Sequence, residues 1–101
     1  MKYCRPIKFK IKKFNDRRGF LGELHSKKRI NLNFNHSIIS NSKKNVIRGL
    51  HFRKKPEYKI LYIVKGKIKD FCLDLKKKKI NKFLLKENDC LLIPPGYAHG
   101  Y

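Results

Sequence analysis

Nowhere does the sequence hold an uncharged apolar run of more than a few residues, far short of the roughly 20 needed to cross a bilayer as a helix. A membrane-spanning helix is therefore excluded. No apolar stretch follows Met1-Lys2-Tyr3-Cys4-Arg5, so nothing there reads as a secretory signal, and a cytoplasmic protein is expected. The three cysteines Cys4, Cys72 and Cys90 are odd in number, widely spaced and form no C-x-x-C pair. That pattern indicates neither a disulfide framework nor a thiolate zinc site, so they are expected to be free thiols, with Cys72 and Cys90 in apolar strands. No window repeats at helical spacing over three turns, so no helix is expected. At 101 residues there is length for one domain, covering residues 1–101.

Carboxylates are scarce, 7 against 27 Lys and Arg, which leaves a net charge of +20. Such a charge ordinarily suits a polyanionic partner. The composition weakens that inference: 21 Lys stand against 6 Arg, with 8 Asn, 11 Ile and one Ala, a bias that AT-rich codons impose on any gene. A solvated, lysine-rich surface is expected, and nucleic-acid binding is not.

What is present reads as strands. Ile7, Phe9 and Ile11 alternate with Lys8, Lys10 and Lys12, and Ile30, Leu32 and Phe34 alternate with Asn31, Asn33 and Asn35, the period of a strand buried on one face. Val46–Phe52, Tyr58–Val64, Lys67–Leu75, Lys82–Lys86 and Cys90–Ile93 are short runs rich in β-branched or aromatic residues. Lys65-Gly66 stands at hairpin distance between two of them, Glu87-Asn88-Asp89 offers a second turn, and Pro94-Pro95-Gly96 stops the last strand, with none expected after it. Lys76–Lys79 reads as an exposed loop. Short antiparallel strands at this spacing predict an all-β sandwich or barrel.

Two clusters carry more than strand propensity: Arg48-Gly49-Leu50-His51-Phe52 and Pro94-Pro95-Gly96-Tyr97-Ala98-His99-Gly100. The second contains P-x-G-x-x-H, which is similar to the second motif of the cupin jelly roll. Taken in order with Asp16-Arg17-Arg18-Gly19-Phe20-Leu21-Gly22-Glu23 and Asn35-His36-Ser37, the set resembles the dTDP-4-dehydrorhamnose 3,5-epimerase family. The resemblance runs over nearly all of this chain and over about the first half to two-thirds of the family's usual length. It implies a cupin-type jelly-roll β-barrel, truncated at its C-terminus.

The resemblance also implies roles. Epimerisation beside a ketone needs a base to take an α-proton, a group to stabilise the enolate, and an acid to return a proton on the other face. His51, after Arg48-Gly49-Leu50, matches the family's base, and Lys59 is the candidate for enolate stabilisation. Arg18 and Arg48 match arginines that contact the nucleotide sugar, where a planar guanidinium suits diphosphate oxygens. Glu23 matches a carboxylate on the nucleotide, Asn33 and Asn35 fall at a Q-x-N segment around the same ligand, and His99 lines the sugar pocket. His25 and His36 have weaker claims. The implied ligand is a dTDP-4-keto-6-deoxy sugar, with no cofactor, and the implied assembly is a homodimer to which the strand Ile7–Ile11 crosses.

Many cupins hold a metal through H-x-H, a glutamate and a later histidine. Here the first position reads His51-Phe52-Arg53, so a cation replaces a ligand, and with Glu57 and His99 alone no metal site is expected. The family's acid tyrosine, and the aspartate that pairs with its base, have no counterpart among these residues, and neither Tyr97 nor Tyr101 stands at the acid's position. Weak epimerase activity or none is therefore expected. Two other readings stand beside it: a non-catalytic nucleotide-sugar-binding remnant, and a small basic nucleic-acid-binding β protein. The second would present aromatic stacking platforms on exposed strand faces, whereas Phe9, Phe34 and Phe71 fall on apolar ones.

Overall fold

The structure, a computed structural model, describes residues 3–101; Met1 and Lys2, which open the segment read above for a signal, lie outside them. All of its regular structure is strand: β1 Ile7–Lys10, β2 Lys12–Asp16, β3 Gly19–Glu23, β4 Lys59–Tyr62, β5 Lys67–Asp74, β6 Ile80–Lys86, β7 Asp89–Ile93 and β8 Tyr97–Gly100. No helix among the described residues is long and apolar enough to cross a membrane. The strands form two three-stranded antiparallel sheets, ordered β1-β7-β4 and β6-β5-β8, and a separate β2-β3 hairpin.

The core lies between the two larger sheets. Ile63, Leu91 and Ile93 from one side meet Cys72 and Leu85 from the other, with Leu61, Ile68, Phe83 and Tyr97 packed around them. These positions follow the two-residue period of their strands, and burying each large aliphatic side chain contributes about 1.5–3 kcal/mol. All five residues of β7 are buried, because it is the central strand of its sheet. Its first residue, Asp89, is a buried carboxylate that accepts hydrogen bonds from the Lys86 backbone N–H at 2.9 Å and the Lys10 ammonium at 3.0 Å. Together they hold its pKa below the usual carboxylate range despite burial, and they tie β1 to the start of β7. Cys72 and Cys90 are buried and Cys4 is exposed, all three as free thiols.

Several expectations give way. Ile30–Phe34 keeps its alternating burial but pairs with no strand among the described residues and is not one itself; alternation sets which side chains turn inward, and a strand also needs a neighbouring strand to pair with its backbone. Val46–Phe52 is irregular apart from one bridge, His51 to His99. Lys65-Gly66 is not a hairpin: β4 pairs with β7 and β5 with β6 and β8, so Gly66, at φ +84°, turns a corner between sheets. The hairpin is instead β5-β6, closed over the exposed Lys76–Lys79 tract. A strand does follow Pro94-Pro95-Gly96, since β8 pairs with β5 from Phe71↔Gly100 to Asp74↔Tyr97. Finally, β1, the strand read as crossing to a partner, pairs along one edge with β7 of its own chain.

Candidate active site

The two recognisable clusters lie side by side. His51 and His99 exchange backbone hydrogen bonds of 2.8 and 3.0 Å, and Arg48 and Tyr101 exchange two more of 2.6 and 2.8 Å. Directly opposed residues in an antiparallel pair project to the same face, so this bridge sets the imidazoles of His51 and His99 on one side.

Glycine allows that approach. A Cβ built on Gly49 would lie 2.4 Å from the Gly100 Cα and 2.9 Å from the His99 carbonyl oxygen, and one on Gly100 would lie 2.8 Å from the Arg48 carbonyl oxygen. Gly49 also takes φ +134°, a conformation open to glycine and few other residues. The two motif glycines thus serve the contact between the motifs rather than turns within either.

His99 is buried and its Nδ1 lies 3.2 Å from Oδ2 of Asp70, a fully buried carboxylate. The Cys72 thiol donates to the other carboxylate oxygen at 3.3 Å. Burial, reinforced by the neighbouring Asp70 charge, pushes the Cys72 thiol well up, so it remains a donor. A proton on His99 Nδ1 satisfies the carboxylate and leaves Nε2 as the lone pair for the site. Sequence reasoning missed Asp70, although a signal was present: it shares strand parity with Ile68 and Cys72, an acid on the inward face. His51 is exposed, and among the described residues its side chain makes no hydrogen bond.

Arg48 is held by the loop before it, with Nε donating to the Ser42 hydroxyl at 2.6 Å and a terminal nitrogen to the Asn41 carbonyl at 3.4 Å. Lys59 enters on β4, its ammonium 3.9 Å from Glu57. Their recess, which Tyr97 also lines, measures about 20 Å³, room for a water and not for a sugar. Glu57 is closer to Arg53, at 3.2 Å. No three His, Cys, Asp or Glu side chains among the described residues gather as a metal would require.

Neither His51 nor His99 lines that recess, and the remaining candidates lie elsewhere. Arg18 sits at the tip of the β2-β3 hairpin, where it donates to Asp16 at 2.7 Å and that contact holds the Asp16 carboxyl below its usual range. Glu23 ends the same hairpin, which is hydrogen-bonded into neither three-stranded sheet. Asn33 and Asn35 are exposed in the unpaired stretch. Of the weaker candidates, His25 reaches the Ile30 carbonyl at 3.3 Å and packs edge-on to Phe34.

The family model for dTDP-4-dehydrorhamnose 3,5-epimerase matches residues 6–101. The chain belongs to that family. Among curated relatives, the dTDP-4-dehydrorhamnose 3,5-epimerases of Salmonella typhimurium and Methanothermobacter thermautotrophicus are each 32% identical to it, over 89% and 87% of this chain. Those matches cover 57% and 55% of the relatives, so the chain spans little more than half their length. Among solved structures, the Sulfolobus tokodaii epimerase superposes with a TM-score of 0.85 at 37% identity, covering 94% of this chain and 61% of that one. A Bacillus anthracis epimerase with TDP and pyrophosphate bound gives 0.76 at 32% identity, over 94% and 63%. The cupin expectation is borne out: this is an all-β chain with the fold of the epimerase family, matching roughly the first 55–60% of homologue lengths.

Proposed function

We propose that this chain carries the base-bearing part of the active site of an epimerase that acts on a dTDP-4-keto-6-deoxy sugar, in deoxysugar biosynthesis for cell-surface polysaccharide. The observation that supports this most is the bridge between His51 and His99, which joins the family's two histidine motifs across 48 residues of sequence through the Gly49-Gly100 contact. His51 takes the α-proton at C3 or C5, Lys59 stabilises the enolate oxygen, and His99, oriented by Asp70, contacts the sugar. Arg48 binds the diphosphate by exchanging its Ser42 and Asn41 contacts for phosphate oxygens. The α-proton leaves on His51, while the proton that completes inversion needs an acid which the matched residues do not supply. Hydrogen exchange without inversion is the expected chemistry.

Arg18 and Glu23, with Asn33 and Asn35, complete the nucleotide contacts. The hairpin that carries Arg18 and Glu23 exposes Phe14, Phe20 and Leu21 and is paired with neither larger sheet. A homodimer in which this hairpin covers the partner accounts for that apolar surface and brings its arginine to the partner's site. Half-burial of Phe9, Phe34 and Phe71 counts against the nucleic-acid reading, while the exposed Phe14 and Phe20 on the hairpin are the strand-face aromatics that it would use.

The test is incubation of the 101-residue chain in D2O with dTDP-4-keto-6-deoxyglucose, with C3 and C5 deuteration followed by NMR and His51→Ala alongside. Deuterium entry lost in the variant is expected. Binding without entry in the parent chain would leave a nucleotide-sugar-binding remnant, and no binding at all would refute the proposal.

A further inference from the structure

Among the described residues two carboxylates are fully buried, Asp89 and Asp70, and they are satisfied in different ways. Asp89 draws on a lysine ammonium and a backbone N–H. Asp70 has neither. None of the chain's 27 Lys and Arg pairs with it among the described residues, and its hydrogen-bond donors there are two: the Cys72 thiol, at 3.3 Å on Oδ1, and the His99 ring, at 3.2 Å on Oδ2.

The backbone brings these three groups together. Asp70 and Cys72 lie two apart on β5 and so share its inward face. Cys72 stands directly opposite His99 in the β5-β8 ladder, which puts their side chains on one side of the sheet. Asp70 therefore reaches diagonally across to the ring, while the thiol closes the near side of the carboxylate. Cys72 also belongs to the core cluster with Leu85 and Leu91, so its sulfur marks the border where the apolar core meets the histidine. A thiol suits that border because it packs as a small apolar group and still donates.

Orientation is what the thiol adds. The last torsion of an aspartate is broad, so a carboxylate held by His99 alone can turn about its Cβ–Cγ bond and carry Oδ2 off the ring nitrogen. Anchoring Oδ1 removes that freedom and leaves no buried oxygen without a donor. We propose that Cys72 is a positioning residue: its S–H anchors Oδ1 of Asp70, so that Oδ2 keeps the proton of His99 on Nδ1 and Nε2 stays an acceptor toward the site. That this Nε2 meets a sugar rests on the epimerase reading above; the chain of hydrogen bonds behind it does not.

The experiment uses the 101-residue chain with ¹⁵N-labelled histidine at pH 9, where burial keeps the Cys72 thiol protonated. Two-bond ¹H–¹⁵N correlation NMR reports which ring nitrogen of His99 carries the proton, and thermal melts report stability. Cys72→Ala and Cys72→Ser remove the same sulfur and nearly the same volume, but only serine keeps a donor. The parent and Cys72→Ser should hold the His99 proton on Nδ1, whereas the ratio of the Nδ1–H to the Nε2–H tautomer should fall about two- to tenfold in Cys72→Ala, although both variants lose thermal stability. A packing role alone would leave the tautomer unmoved in both. The parent chain gives a second reading without any substitution: its Raman S–H stretch should contain a component lowered in frequency by bonding to a carboxylate, beside the components of Cys4 and Cys90. An unchanged ratio in Cys72→Ala, an equal fall in Cys72→Ser, or no lowered S–H component in the parent would overturn the proposal. A ratio that falls only in Cys72→Ala, in a chain that binds no dTDP-4-keto-6-deoxyglucose, would uphold it and count against the epimerase reading alone.

Discussion

Gly100→Ala tests the contact that joins the two histidine motifs. Gly100 does not adopt a positive φ, so the cost of a methyl there is steric rather than conformational. Its Cβ would lie 2.8 Å from the Arg48 carbonyl oxygen and 3.0 Å from the Gly49 Cα. Both are main-chain atoms with no flexible end to swing away, so the Arg48–His51 segment must retreat from β8. Overpacking of this kind costs about 1–3 kcal/mol, and for a domain of this size each kcal/mol lowers Tm by roughly 4–8 °C. Gly66→Ala is the control, since Gly66 has φ +84° and nothing within 4 Å of the added carbon. Its cost, about 1–2 kcal/mol for a left-handed alanine, is felt at a corner away from the histidines. Thermal melts by circular dichroism give the totals, and amide exchange at His51 and His99 separates the causes. Those two N–H groups should exchange faster in Gly100→Ala than global destabilisation explains, and no faster than that in Gly66→Ala. Unchanged exchange at His51 and His99 in Gly100→Ala, with a Tm close to the parent's, would refute the claim that glycine permits the bridge.

Asp89 should shape the acid limb of stability. Its folded pKa is depressed, so its contribution is complete above the unfolded value near 3.9 and is lost as pH falls through the folded value; Asp89→Asn should cost about 1–3 kcal/mol at pH 7 and less near pH 3, as urea midpoints at the two pH values would show. Equal losses at both would count against the ionised pairing with Lys10. Alkylation at pH 8 should modify the native chain once, at exposed Cys4, because burial pushes the Cys90 thiol up to about 11 and the Cys72 thiol higher still. Mass spectrometry reads this directly, and rapid labelling of Cys72 or Cys90 would show that the core is not packed as described.

Much of this protein is legible along the chain, because side-chain parity and turn residues act over two to four neighbours. The runs that became β4, β5, β6 and β7 are visible as alternating or apolar stretches, the four-lysine tract reads as solvent-facing, and Cys72 and Cys90 read as core. The motif residues around His51 and His99 identify the family before any coordinate is known. Pairing is another matter, since it depends on which edges meet in space. Local pattern alone favoured a hairpin at Lys65-Gly66, where the tertiary structure makes a corner between two sheets. It favoured a strand at Ile30–Phe34, where alternation survives but no strand among the described residues pairs with it. It ended the last strand before Pro94, where β5 offered a free edge for β8. The adjacency of His51 and His99, the Gly49-Gly100 contact and the Asp70 carboxylate behind His99 span 29 to 51 positions of sequence. Only the closing of the two sheets decides them, because packing and burial, unlike propensity, are properties of residues that the chain keeps far apart.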